Sequence, residues 1–271
     1  MRYLRPYGVI NEKYDYKINF IDKGNRYNDI RYTFLKLVQK SIPHGQESYY
    51  ESFLPGLNRD KIGNFYVKIG DSDVMFTSHL DTASDDMFDI DQFAYESNGK
   101  EIIHTGKKSI LGADDRSGVA LMLNMMHNHI PGLYYFFIGE EKGSIGSKFV
   151  RENFHNIEHM TSLNKCVSFD RRGTDSIITH QRGDICCSDE FSSAILNEFN
   201  RSGMRMRKDP TGVWTDSATF MDVIPECTNI SVGYNNEHSE NEYQDMTFLK
   251  ELSKSVLKVD WNSLPSLRNK I

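Results

Sequence analysis

The sequence predicts an α/β layer fold built on a largely parallel sheet. Two observations carry that prediction. Short apolar, β-branched or aromatic runs alternate with amphipathic stretches of about 10–15 residues, the rhythm of strand–helix–strand units. Acidic residues that an interior would reject gather where those runs end, and open α/β sheets place their sites at the carboxyl ends of strands.

The first 55 or so residues are polar and tyrosine-rich, and within them residues 28–42 place Ile30, Phe34, Leu35 and Val38 on one stripe. That segment reads as an amphipathic helix, ended by Pro43. Phe65–Ile69 and residues 74–77 read as strands joined by the turn Gly70-Asp71-Ser72. A strand over 101–104 leads towards Gly112-Ala113-Asp114-Asp115, and 117–126 reads as a helix. The run 132–138 reads as a buried strand that meets Glu140-Glu141. Two adjacent acids there are costly unless something positive faces them. A helix begins near Ser144, and 165–169 is the next strand, running into Asp170. Helices over 189–199, 216–221 and 247–256 follow, with a strand over 230–233 between the last two.

The chain has 271 residues, of which 38% are hydrophobic, enough for a sizeable core. A net charge of −6 argues against a nucleic-acid surface, which needs a basic stripe. No apolar stretch approaches the roughly 18 residues of a membrane helix, and the first residues lack a signal peptide's apolar core. Cys166, Cys186, Cys187 and Cys227 show no zinc-finger spacing. They read as reduced thiols of a cytoplasmic protein.

Five segments set His or carboxylates where a strand meets a loop: Ser78-His79-Leu80-Asp81-Thr82, Gly112-Ala113-Asp114-Asp115, Gly139-Glu140-Glu141, Ser168-Phe169-Asp170 and Glu237-His238. Singly, each reads better as a surface His or a capping acid. In this order, within SHLDT, LGADDRSGVA, GEEKGSIGS, SFDRRG and EHSENE, they resemble the co-catalytic di-zinc exopeptidase superfamily of aminopeptidases, peptidase T and glutamate carboxypeptidases. The resemblance spans roughly residues 60–252. It implies a three-layer α/β/α fold with a central mixed, mostly parallel sheet.

It also implies two Zn²⁺ ions, with Co²⁺ or Mn²⁺ able to occupy similar sites. Asp114 would bridge them, His79 and Asp170 would complete one site, and Glu141 and His238 the other. Three carboxylates and two neutral imidazoles against two divalent ions leave about one positive charge, suited to a shared, acidified water. Glu140 would be the general base, and Asp81 would accept the second ring N–H of His79. The family often has a cis peptide at the position of Asp114-Asp115, so one is expected here. The implied substrate is a peptide or small amide. The same motifs also suit an amidohydrolase of N-acylated amino acids, or a non-catalytic binding protein on the same fold.

Departures from the family pattern shape the remaining expectations. Asp81 and Asp114 are 33 residues apart, and Asp170 and His238 are 68 apart, too close for an inserted lid. Residues 1–271 are therefore expected to form one catalytic domain, with 1–55 as a helical extension packed on it and no dimerisation domain. Some relatives place a Tyr just before the last His as an oxyanion donor; here Glu237 stands there and Tyr234 lies upstream. Tyr234 is a substrate-binding candidate or a packing residue. Thr215 and Asp216 could contact substrate or cap a helix. Arg171, with Arg172, could bind a substrate carboxylate or form a solvated basic turn. His155-Asn156-Ile157-Glu158-His159 matches the motif of another zinc peptidase class, which needs both His on one helix face, but the local sequence reads as an ordinary surface helix.

Overall fold

The computed structural model describes residues 15–17, 27–54 and 56–268. In chain order the first elements are β1 (Asp15–Lys17), α1 (Ile30–Leu37), β2 (Lys40–Ser41), β3 (Asn58–Arg59), β4 (Phe65–Ile69), β5 (Val74–His79), β6 (Phe88–Asp89), β7 (Phe93–Ser97) and β8 (Lys100–His104). Next come α2 (Ala113–His127), β9 (Gly132–Phe137), α3 (Ile145–Glu152), β10 (Lys165–Arg171), β11 (Ser176–Ile178), β12 (His180–Gln181), β13 (Asp184–Ile185) and α4 (Asp189–Arg201). The last are β14 (Arg207–Asp209), β15 (Glu226–Ser231), β16 (Tyr234–Asn235), β17 (Tyr243–Asp245) and α5 (Met246–Ser255).

Eight strands form the central sheet in the order β14-β11-β15-β10-β5-β9-β4-β3. Its middle four strands, β15, β10, β5 and β9, run parallel. Every residue of β5 and β9 is buried, as strands covered on both faces must be. Helix α2 lies against β5 and β10, with α1 and α5 packed on it. That approach requires Gly118, where a Cβ would stand 2.1 Å from the Phe169 carbonyl oxygen and 2.4 Å from Ser78 Oγ. The sheet is mixed and mostly parallel, flanked by helices, as the sequence implies.

Several elements differ from the sequence reading. β4 and β5 are not sheet neighbours, because β9 lies between them, antiparallel to β4 and parallel to β5. β8 belongs to a separate antiparallel sheet, β1-β7-β8-β17-β16. Asp114 and Asp115 therefore follow no strand directly; they open α2. The first helix stops at Leu37, because Lys40 and Ser41 pair with β6 and Ile42 exchanges hydrogen bonds with Thr82. β15 begins at Glu226, since Glu226, Thr228, Asn229 and Ser231 are buried yet polar. The segment around His155 and His159 is two short 3₁₀ turns rather than a helix, so the zinc-motif geometry does not form.

Within the expected extension over residues 1–55, α1 and a 3₁₀ helix, Glu47–Ser52, are described. The short strands β1 and β2 also fall within it, so the extension is not purely helical, and residues 1–14, 18–26 and 55 lie outside the described residues. All four cysteines are free and buried. Among the described residues, no helix is long and apolar enough to cross a membrane.

Candidate metal centre

The parallel register aligns the ends of β5, β9 and β10, and the turns beyond them carry the acids. His79 ends β5, Asp170 lies near the end of β10, and Glu140-Glu141 follow β9. Asp114 enters from the opening of α2, where its peptide bond to Asp115 is cis. His238 enters from the turn after β16.

The Asp114 carboxylate sits between the two imidazoles. Its Oδ1 is 3.0 Å from His79 Nε2, and its Oδ2 is 3.1 Å from His238 Nε2. Asp170 Oδ1 lies 3.8 Å from His79 Nε2, and Glu141 Oε1 lies 2.9 Å from His238 Nε2. The donor atoms of His79, Asp114 and Glu141 fall within 4.8 Å of one another, as do those of His79, Asp115 and Asp170. Both Asp115 oxygens are already engaged, by the amides of His79 and Gly118 at 3.2 Å each. Asp115 thus ties β5 to α2, and Asp114, Glu141, Asp170 and the two His remain as the open donor set.

This set has too few protons for its acceptors. Each ring Nε2 faces two carboxylates and can donate to one, so Glu141 Oε1 is buried without a hydrogen bond of its own. The charges respond strongly. The Asp114 and Glu141 carboxylates beside its ring push His238 up to about 11. Burial would raise Asp114, but hydrogen bonds from His238 and His79 hold it well below the carboxylate range. Burial raises Glu140 to about 9, with Asp170, Asp216 and Asp114 adding to the effect against His79. Asp170 is raised well above its ordinary value by burial and by Asp114. Converging carboxylates and imidazoles short of protons, buried at 7% exposure for Asp114 and 1% for His79, fit divalent cations.

Supporting residues differ in part from expectation. The Asp81 carboxylate accepts the amides of Glu140 and Glu141, at 3.0 and 3.1 Å. His79 Nδ1 is 3.0 Å from the Asp81 carbonyl oxygen and 3.5 Å from its carboxylate, so the carbonyl is the nearer partner of the ring. Glu242 accepts the amides of Leu111, Gly112 and Asp114 at 2.8, 2.7 and 3.0 Å, fixing the approach to α2. Buried Arg116 bonds the Tyr50 hydroxyl, Thr82 and the Gly112 carbonyl. The sequence reading assigns no role to Glu242 or Arg116; their only signal is a third acid within EHSENE and a basic residue after Asp115.

The substrate-contact candidates divide. Thr215 Oγ1 donates to Asp170 Oδ2 at 2.6 Å, and the Tyr234 hydroxyl donates to Asp170 Oδ1 at 3.0 Å, so both orient that carboxylate. Thr215 makes no side-chain cap to the 3₁₀ helix Asp216–Phe220. Asp216 is 2% exposed, with Oδ1 unpartnered, and burial raises it to about 7. Arg171 leans on Asp209 at 3.3 Å and on Thr211, and Arg172 pairs with Glu237 at 2.8 Å. A cleft of about 150 Å³ joins Asp114, Glu140, Asp170 and His238 to Arg171, Arg172 and Tyr234.

Known structures share this architecture at low identity. The aminopeptidase PepT of Bacillus cereus superposes with a TM-score of 0.66 at 14% identity, over 86% of this chain and 97% of its own. A tripeptidase from Staphylococcus aureus gives 0.65 at 16%, over 87% and 98%. The TET1 peptidase of Pyrococcus horikoshii gives 0.62 at 16%, over 85% and 98%. No protein-family profile matches the chain, and no curated protein sequence matches it. The chain thus shares its fold with these peptidase structures.

Proposed function

We propose that the protein is a metal-dependent peptidase that cleaves peptide bonds with a water held at the centre and Glu140 as general base. The observation that carries this reading is the Asp114 carboxylate facing one imidazole with each oxygen, beside Glu140 in the same cleft. The aminopeptidase and tripeptidase activities named for the similar structures support peptides as the substrate class.

His79, Asp114 and Asp170 would hold one ion, and Asp114, Glu141 and His238 the second, with zinc as the expected metal and cobalt or manganese as substitutes. Such ions supply a Lewis acid for the scissile carbonyl and bring the water's pKa near neutrality. Glu140 takes the proton of the attacking water and delivers it to the leaving amine. Asp81 aims Glu140 and Glu141 through their amides, while Thr215 and Tyr234 hold Asp170. The catalytic unit is proposed to be a single domain without a lid.

The test is a panel of free and blocked di- and tripeptides and N-acyl amino acids, run with zinc, cobalt or manganese. Peptides should turn over, and Glu140→Gln should slow turnover by about 10²–10⁴-fold with metal content retained. Cleavage of N-acyl amino acids alone would replace a peptidase with an amidohydrolase. Full activity in the Gln variant would remove Glu140 from the base role.

A further inference from the structure

We propose that residues 212–214 wall an apolar subsite beside the metal centre, and that Trp214 makes this site prefer a bulky aliphatic or aromatic substrate side chain. The inference rests on the peptidase reading and adds a substrate class to it.

The cleft that contains Asp114, Glu140, Asp170 and His238 is bounded elsewhere by Ile178, Gly212, Val213 and Trp214. Gln181, Asn229, Tyr234, Glu237 and the two arginines complete the lining, so Ile178, Gly212, Val213 and Trp214 form an apolar patch within a polar cleft. Val213 is 66% exposed and Trp214 38%. Single exposed apolar residues are ordinary. A valine and a tryptophan side by side at the mouth of a polar cleft match the usual make-up of a ligand site, apolar walls with a few placed polar groups.

The wall is rigid without being buried. The Trp214 Nε1–H donates to Ser144 Oγ at 2.8 Å, and the Arg182 guanidinium lies 5.2 Å from the centre of its ring. Thr211 N–H donates to Asp209 at 2.8 Å, and Arg182 N–H donates to the Gly212 carbonyl at 3.1 Å. Gly212 can carry no side chain here, since a Cβ would stand 2.3 Å from the His180 carbonyl oxygen and 2.5 Å from Ile178 Cγ2. The loop is thus pinned by polar contacts while its apolar side chains face outward, a preorganised surface that loses little entropy when a ligand covers it. Arg182 on the indole also disfavours a cationic side chain at the same wall.

The experiment compares kcat/KM across peptides that differ only in the residue on either side of the scissile bond: Gly, Ala, Leu, Phe and Lys. At one of the two positions, native protein should favour Leu or Phe over Ala by about tenfold or more, with Lys disfavoured. Trp214→Ala should bring that ratio to within about threefold, mainly through KM, and Val213→Ser should lower it in part. A native enzyme without this preference, or a Trp214→Ala loss shared equally by all substrates and seated in kcat, would overturn the subsite while leaving the peptidase reading intact. Failure of native protein to cleave any peptide would overturn that reading, and the subsite with it.

Discussion

Both oxygens of Asp81 accept the amides of Glu140 and Glu141, so one side chain directs the proposed proton carrier and a proposed ligand together. Asp81→Asn turns one of those oxygens into a donor facing an N–H. We expect metal affinity to weaken about 10–100-fold and kcat to fall, as for other supporting partners of metal ligands. Metal titration calorimetry checks it; unchanged affinity would leave Asp81 as a packing residue. Asp209 offers a test by pH. Burial works to raise its carboxyl, but hydrogen bonds from Thr211 and Ser176 and the charge of Arg171 hold it well below the usual range. A depressed folded pKa stabilises fully above the unfolded value near about 4 and is lost as pH falls further. Asp209→Asn should therefore be less stable than native protein at pH 7, and the gap should narrow towards pH 3. Denaturant melts at both pH values measure it, and a constant gap would exclude the charge as its source. At this scale the five convergent acids and imidazoles were legible, because acids and His at the ends of apolar runs are conspicuous. Glu242 was not, because its partners lie at 111–114, far upstream, and a side chain that caps distant amides has no periodicity.

Helix α2 joins the sheet to the centre, and its packing reverses a propensity rule. In an exposed helix, Gly→Ala gains about 1 kcal/mol. At Gly118 the added Cβ meets the Phe169 carbonyl, so Gly118→Ala should destabilise by about 1–3 kcal/mol or more in urea unfolding. A neutral or stabilised variant would mean that α2 can move off β10. The strands that sequence revealed are those with apolar runs, β4, β5, β8, β9 and β10. β15 was placed too late because its buried positions are Glu, Thr, Asn and Ser, each satisfied by distant partners. β7, β16 and β17 were not visible, since short strands of a partly exposed sheet carry little hydrophobic signal.

The proposed ligands come from five separated stretches, so an ion bound among them would link β5, α2, β9, β10 and the turn after β16. Ions that bind only the folded chain add about 2.7 kcal/mol when free metal is 100-fold above Kd. Chelation should lower the melting temperature, and zinc, cobalt or manganese should restore it; a melting temperature indifferent to both would argue against a structural coupling between metal and sheet. The α/β class was legible at this scale because alternation of strand and helix survives errors at individual boundaries. Strand order was not, because pairing depends on segments far apart in sequence. The place of β9 shows what that means for the nascent chain. β4 and β5 emerge together with a four-residue connection between them, and nothing in their own sequence forbids a hairpin. The native sheet keeps a lane open between them for a strand that is made only after α2. An early hairpin would be an off-pathway state that must open before β9 can enter, and delayed, non-local pairing of this kind is what slows folding.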